Sequence, residues 1–169
     1  MKKRTLALSL LFLAIILVTL FLAHLQLFTY PTAKIKALAN LNIVYLSAII
    51  SSLVVTIISA LTPLIVFNIV QSIGKSGEDP AKNQHRLDVM IAFLINNLFV
   101  VGATVIVTMI TKNHIDSSLT LAIYYGGVLI QLYLSYLAFK QRTKQYLWFG
   151  VIVLLLASIM PSMQLIQGL

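Results

Sequence analysis

Charged residues are confined to five short stretches of this chain, and the sequence between them carries no charge. The 169 residues include twelve basic and four acidic side chains. An ionised side chain is costly in hydrocarbon, whereas an apolar run of roughly 20 residues can cross it as a helix. The pattern therefore predicts an all-α integral membrane protein. The uncharged runs cover residues 5–33, 37–74, 89–111, 117–139 and 145–169.

The composition predicts one membrane domain and no separate soluble domain. The chain is 60% hydrophobic and only 9% charged, whereas about 25% of the residues of a typical soluble domain are charged. Because the connections between the apolar runs are short, we expect a single polytopic domain over residues 1–169. The expected transmembrane helices are five, at about 6–27, 43–73, 89–110, 119–139 and 146–166.

The first apolar run follows Lys2, Lys3 and Arg4, as in a secretory signal peptide. The apolar part of a signal peptide is usually about 7–15 residues long and ends at a small-residue cleavage site. This run is longer. A cleavage site that ends at Ala23 would need a small residue two positions earlier, but the bulky Phe21 is found there. We therefore expect an uncleaved first span.

The basic residues predict the orientation, since Lys and Arg concentrate in cytoplasmic loops. Five spans with a cytoplasmic N-terminus and an outside C-terminus place nine of the twelve basic residues inside. Splitting the long second run at Pro63 into two spans would move most of them outside. We therefore expect one long second helix, kinked at Pro63 because proline lacks a backbone donor, and preceded by an interfacial stretch.

Small residues on two spans predict where helices approach one another. In membranes, helices associate through close packing of small side chains and through interhelical hydrogen bonds. The second span has such residues at a spacing of four, and the fourth span has a glycine pair. The expected packing positions are Ala48, Ser52, Thr56, Ala60, Gly126 and Gly127.

Amides and one hydroxyl at a common depth form a candidate intramembrane site. An unpaired amide costs several kcal/mol in hydrocarbon, so these groups should meet one another or water. We expect either a hydrogen-bonded knot or a shallow cavity open to the cytoplasm. The expected cluster consists of Asn68, Gln71, Asn96, Asn97, Gln131 and Ser135.

Several kinds of chemistry are disfavoured by the sequence. None of the acidic residues lies in the middle of a predicted span, and ionisable groups there mark coupled ion pathways. The chain has no cysteine, so disulfides and Cys-ligated metals are excluded, and no ligand-spacing motif predicts a metal or cofactor. The excess of basic residues fits cytoplasmic loops better than nucleic-acid binding.

These features favour a non-enzymatic accessory or structural subunit of a larger complex in a prokaryotic-type plasma membrane. Its expected partners are membrane lipids and either another membrane protein or further copies of itself. The alternative is a homo-oligomeric transporter or channel for a small solute or lipid. A lipid-modifying enzyme would need an interfacial acid–base pair, for which the clearest candidate is His114 with Asp116.

Overall fold

In the computed structural model, every element of the described part of the chain is helical. Two short segments accompany the long helices: a π-helical turn at Leu25–Thr29 that continues α1, and the short helix α2 at Ala33–Lys36. The long helices are α1 at Lys2–His24, α3 at Leu41–Ile73, α4 at Lys82–Thr111, α5 at Ser117–Phe139 and α6 at Thr143–Gln167. The structure describes residues 2–31, 33–36, 40–73, 82–112, 115–139 and 143–167.

Four helical stretches are long and apolar enough to cross a membrane, which makes the fold compatible with a helical membrane protein. In α6, side chains are described only as far as Ile159, and the apolar stretch Lys144–Ile159 is shorter than the others. The predicted fifth span at 146–166 therefore extends beyond the described side chains. The four stretches are Lys3–Thr29, Leu41–Ser72, Gln84–Thr111 and Ser117–Leu137.

The predicted long second helix is present as α3, which runs without interruption through Pro63. Its 33 residues correspond to a length of about 50 Å at 1.5 Å per residue. This exceeds the hydrocarbon thickness of about 30 Å, so a membrane-embedded α3 would extend past the hydrocarbon or tilt within it.

Helices α3, α4, α5 and α6 form a closed ring, because each packs against the next and α6 returns to α3. The largest side chains of the ring's core include Phe67 from α3 and Phe149 from α6, both almost fully buried. Helix α1 lies outside the ring against α3 and α4. Its buried Ile15 packs in a second core with Ala60 and Leu94.

An ion pair joins the beginnings of α1 and α4. Arg4 Nε donates to Asp88 Oδ1 at 2.6 Å, and Arg4 Nη2 donates to Asp88 Oδ2 at 3.2 Å. The N-terminal ends of these two helices therefore lie at the same end of the bundle, and the helices run parallel.

Candidate functional site

The ring of four helices encloses a cavity of about 260 Å³. At about 30 Å³ per water molecule, this volume corresponds to eight or nine waters, just below the usual range of small-molecule pockets. All four helices contribute to its wall, and the apolar part includes Phe93, Val128 and Val153. The polar lining residues are Ser59, Thr62, Asn96, Asn97, Tyr124 and Gln131.

A buried amide pair holds one wall of the cavity. Asn96 Nδ2 on α4 donates a hydrogen bond of 2.9 Å to Gln131 Oε1 on α5. Their side chains are 6% and 4% exposed. An amide can make up to four hydrogen bonds, so this single bond leaves both groups with unused capacity.

Gly127 allows α4 and α5 to approach closely beside this pair. A Cβ at Gly127 would overlap Asn96 Oδ1 and would lie 2.6 Å from Val100 Cγ2. Asn96 Oδ1 thus fills the space left by the missing side chain, and it has no hydrogen-bond partner among the described residues. At Gly126, in contrast, a Cβ would meet Phe99 Cε1 at an ordinary 3.6 Å.

Two amides on the cavity wall keep hydrogen-bonding groups available. Asn97 is half-buried and lines the cavity, and its side chain makes no hydrogen bond with any residue that the structure describes. Gln131 uses its carbonyl oxygen for Asn96, while its Nε2 is unpaired within the same described set. Together they offer the cavity amide donors and, from Asn97, an acceptor.

The opposite wall is formed by the turn of α3 that contains Pro63. Proline has no backbone N–H, so the carbonyl of Ser59, four residues earlier, loses its usual helical donor. Both residues line the cavity. The weakened turn of the helix therefore borders the space that the amides face.

Two tyrosine hydroxyls form hydrogen bonds between α5 and α6. Tyr124 donates to the carbonyl of Ala157 at 3.0 Å, and Tyr146 donates to the carbonyl of Leu132 at 3.0 Å. Tyr124 and Ala157 both line the cavity, so the first of these bonds closes the wall between the two helices.

The cavity opens sideways, between α3 and α6. Its exposed lining residues are Thr62 on α3 and Leu156 on α6. Both lie well inside their helices rather than near the ends. The opening between Thr62 and Leu156 is here called the side opening.

The structure separates the predicted polar cluster into two groups. Asn96, Asn97 and Gln131 line the cavity, whereas the other predicted members do not. Of these, Gln71 and Ser135 are buried elsewhere in the bundle. The remaining one, Asn68, is half-buried and accepts a hydrogen bond at its carbonyl from Ser72.

The predicted small-residue positions of α3 face α1. Ser52 and Thr56 line a gap of only about 10 Å³ between the two helices. Ala60 is buried in the core shared by α1, α3 and α4, and Ala48 is half-buried. These residues are therefore separate from the cavity.

Sequence reasoning missed the contribution of α3 and α6 to the site. Ser59, Thr62 and Pro63 lie between the predicted packing positions and Asn68 on the same span, and their polarity was an available signal. Ala157 carries no such signal, because its contribution is a backbone carbonyl.

Of the candidate acid–base pair His114 and Asp116, only Asp116 belongs to the residues that the structure describes. His114 lies outside the described residues, while Asp116 precedes α5 and accepts a hydrogen bond at its carbonyl from Thr120. Within the described ranges, no group of three or more His, Asp or Glu side chains could hold a metal ion.

No protein-family model matches the chain, and no match was found among curated proteins or solved structures.

Proposed function

We propose that this protein is a non-enzymatic multi-pass membrane protein that binds a small uncharged molecule in the cavity between α3, α4, α5 and α6. Such a binding cavity favours a role as a transporter or channel for a small solute or lipid. The observation that carries the proposal is the pair of unused amides, Asn97 and Gln131, on the wall of one cavity. An amide left without any partner in an apolar interior costs several kcal/mol, so these two groups need water or a bound molecule in the cavity as a partner.

The lining favours an uncharged ligand. The described residues around the cavity are apolar or carry amides and hydroxyls, and none of them is ionised at neutral pH. A charged ligand would lose its hydration without gaining an opposite charge, which is strongly unfavourable in a low-dielectric interior.

The proposed orientation keeps the N-terminus in the cytoplasm of a prokaryotic-type plasma membrane. The Arg4–Asp88 pair supports it, because the pair brings two of the basic segments to one end of the bundle. That end is cytoplasmic if the positive-inside rule holds.

The absence of cysteine from the chain allows a direct test with single-cysteine variants in liposomes. Val153 lines the cavity, whereas Val66 belongs to the same buried core but does not line it. We expect neutral methyl methanethiosulfonate to label Val153→Cys at least about tenfold faster than Val66→Cys, since access controls thiol reactivity.

A charged sulfonatoethyl reagent of the same chemistry should label Val153→Cys poorly. Ser118→Cys, at an exposed position near the start of α5, serves as the control outside the cavity and should react with both reagents. Equal and slow labelling of Val153→Cys and Val66→Cys by the neutral reagent would refute the proposal.

The accessory-subunit role remains a second candidate because of the outer side of α1. Leu6, Leu10, Leu13 and Leu17 follow a spacing of four, three and four residues, and each is more than half exposed. This spacing suits packing against another helix. Mass analysis in mild detergent should then show a stoichiometric partner that is lost when Leu10 and Leu13 are replaced by Ala; a monomer in both cases would exclude this role.

A further inference from the structure

The side opening of the cavity lies in an apolar outer surface. Beside Thr62, Leu61 is 50% exposed, and beside Leu156, Leu155 is 65% exposed. If the bundle is embedded as proposed, these side chains contact lipid tails. A molecule entering between α3 and α6 would therefore come from the hydrocarbon phase rather than from water.

At the opening the lining is apolar on the α6 side and polar on the α3 side, where Thr62 lies, while the amides lie deeper, on α4 and α5. Leu156 and Val153 lie on the α6 side, while Asn97 and Gln131 belong to α4 and α5 across the ring. Gln131 is 4% exposed with an unpaired Nε2. A ligand whose polar group enters first could reach these amides and leave its apolar part in the opening.

The volume limits what can enter. A cavity of about 260 Å³ holds the equivalent of eight or nine waters. This is enough for a small head group and the first carbons of a chain, while the rest of the chain must remain outside. The side opening provides that exit.

We propose that the cavity binds the uncharged head group of a single-chain amphiphile, with a hydroxyl as the recognised group, taken up from the lipid phase through the side opening. This inference rests on the proposed function and specifies its ligand class. The hydroxyl accepts a hydrogen bond from Gln131 Nε2 and donates one to Asn97 Oδ1. Its hydrocarbon chain passes between Thr62 and Leu156.

Protection of Val153→Cys from labelling tests this ligand class, with dodecanol as the probe. An occupant present at ten times its dissociation constant should slow labelling about tenfold. Dodecane, which has the same chain without the hydroxyl, should protect much less. Ser118→Cys, outside the cavity, should be labelled at an unchanged rate with either compound.

The amide requirement is tested by adding Asn97→Leu to Val153→Cys. The Asn97 side chain makes no hydrogen bond with the described residues, so this change should preserve the fold and the labelling while abolishing protection by dodecanol. Equal protection by dodecane, or undiminished protection in the double variant, would overturn the ligand class while leaving the proposed function intact. Failure of Val153→Cys to react at all would instead overturn the proposed function.

Discussion

Asn96 on α4 is held between two residues of α5 that lie one helical turn apart. Its Nδ2 donates to Gln131 Oε1 at 2.9 Å, and its Oδ1 occupies the space that a side chain at Gly127 would fill. The pair combines close helix approach with a buried hydrogen bond, the two means by which helices associate in membranes. The hydrogen bond also holds the Gln131 side chain on the cavity wall, where its Nε2 remains without a partner among the described residues.

Gly127→Ala should destabilise the bundle. The new methyl group would overlap Asn96 Oδ1 and crowd Val100, and overpacking of this kind costs about 1–3 kcal/mol. The free energy of unfolding in mixed micelles measures the effect. Gly126→Ala is the matched control, because its Cβ has room; helix propensity should make it neutral or stabilising by up to about 1 kcal/mol. Equal effects of the two changes would contradict the assigned close approach.

Asn96→Leu should also destabilise the protein, because it leaves Gln131 Oε1 without its partner. Loss of a buried hydrogen bond with one partner left unpaired costs about 1–3 kcal/mol. Replacing both Asn96 and Gln131 by Leu should recover part of this loss, since no unpaired amide remains at this contact. Strictly additive losses in the double variant would show that the two side chains are not coupled.

The Arg4–Asp88 pair should contribute little to stability but should be detectable. Its side chains are 38% and 29% exposed, and exposed ion pairs contribute about 0.2–1 kcal/mol. A double-mutant cycle with Arg4→Gln and Asp88→Asn should give a coupling energy in this range that decreases with added salt. A coupling of zero at low salt would contradict the contact.

Tyr124→Phe should weaken the wall between α5 and α6. The change removes the hydrogen bond from the Tyr124 hydroxyl to the Ala157 carbonyl, and such bonds in membrane proteins average about 0.6 kcal/mol. Labelling of Val153→Cys should become faster in this background as the wall opens more often. Tyr125→Phe, on the neighbouring exposed side of α5, should leave the labelling rate unchanged.

The helices could be predicted from the sequence, but the set of residues that line the cavity could not. Charge-free runs determine where long apolar helices form, and the observed α3 and α5 begin and end within two residues of the predicted spans. Helix α4 ends within one residue of the predicted span but begins seven residues earlier, at Lys82, because the helix continues through the charged segment before the apolar run. Depth along a helix then suggested that Asn68 and Asn97 belong together. Which side of a helix faces a neighbour depends on the packing of the whole ring, and this places only Asn97 at the cavity.

The side opening was similarly beyond the reach of the sequence. It depends on Val66 and Val153 packing together in the core while Thr62 and Leu156, one turn away on each helix, remain exposed. Neither the apolar pattern nor the position of Pro63 indicates which of these four residues are buried and which are exposed.

We propose that Asn97 is retained for a ligand rather than for packing. The free energy of unfolding of Asn97→Leu distinguishes these two roles. A side chain kept for binding limits stability instead of supporting it. We therefore predict that Asn97→Leu, measured without added dodecanol, unfolds with an unchanged or higher free energy. A loss of more than about 1 kcal/mol, the size of a net hydrogen bond, would show that Asn97 supports the fold and would contradict the claim.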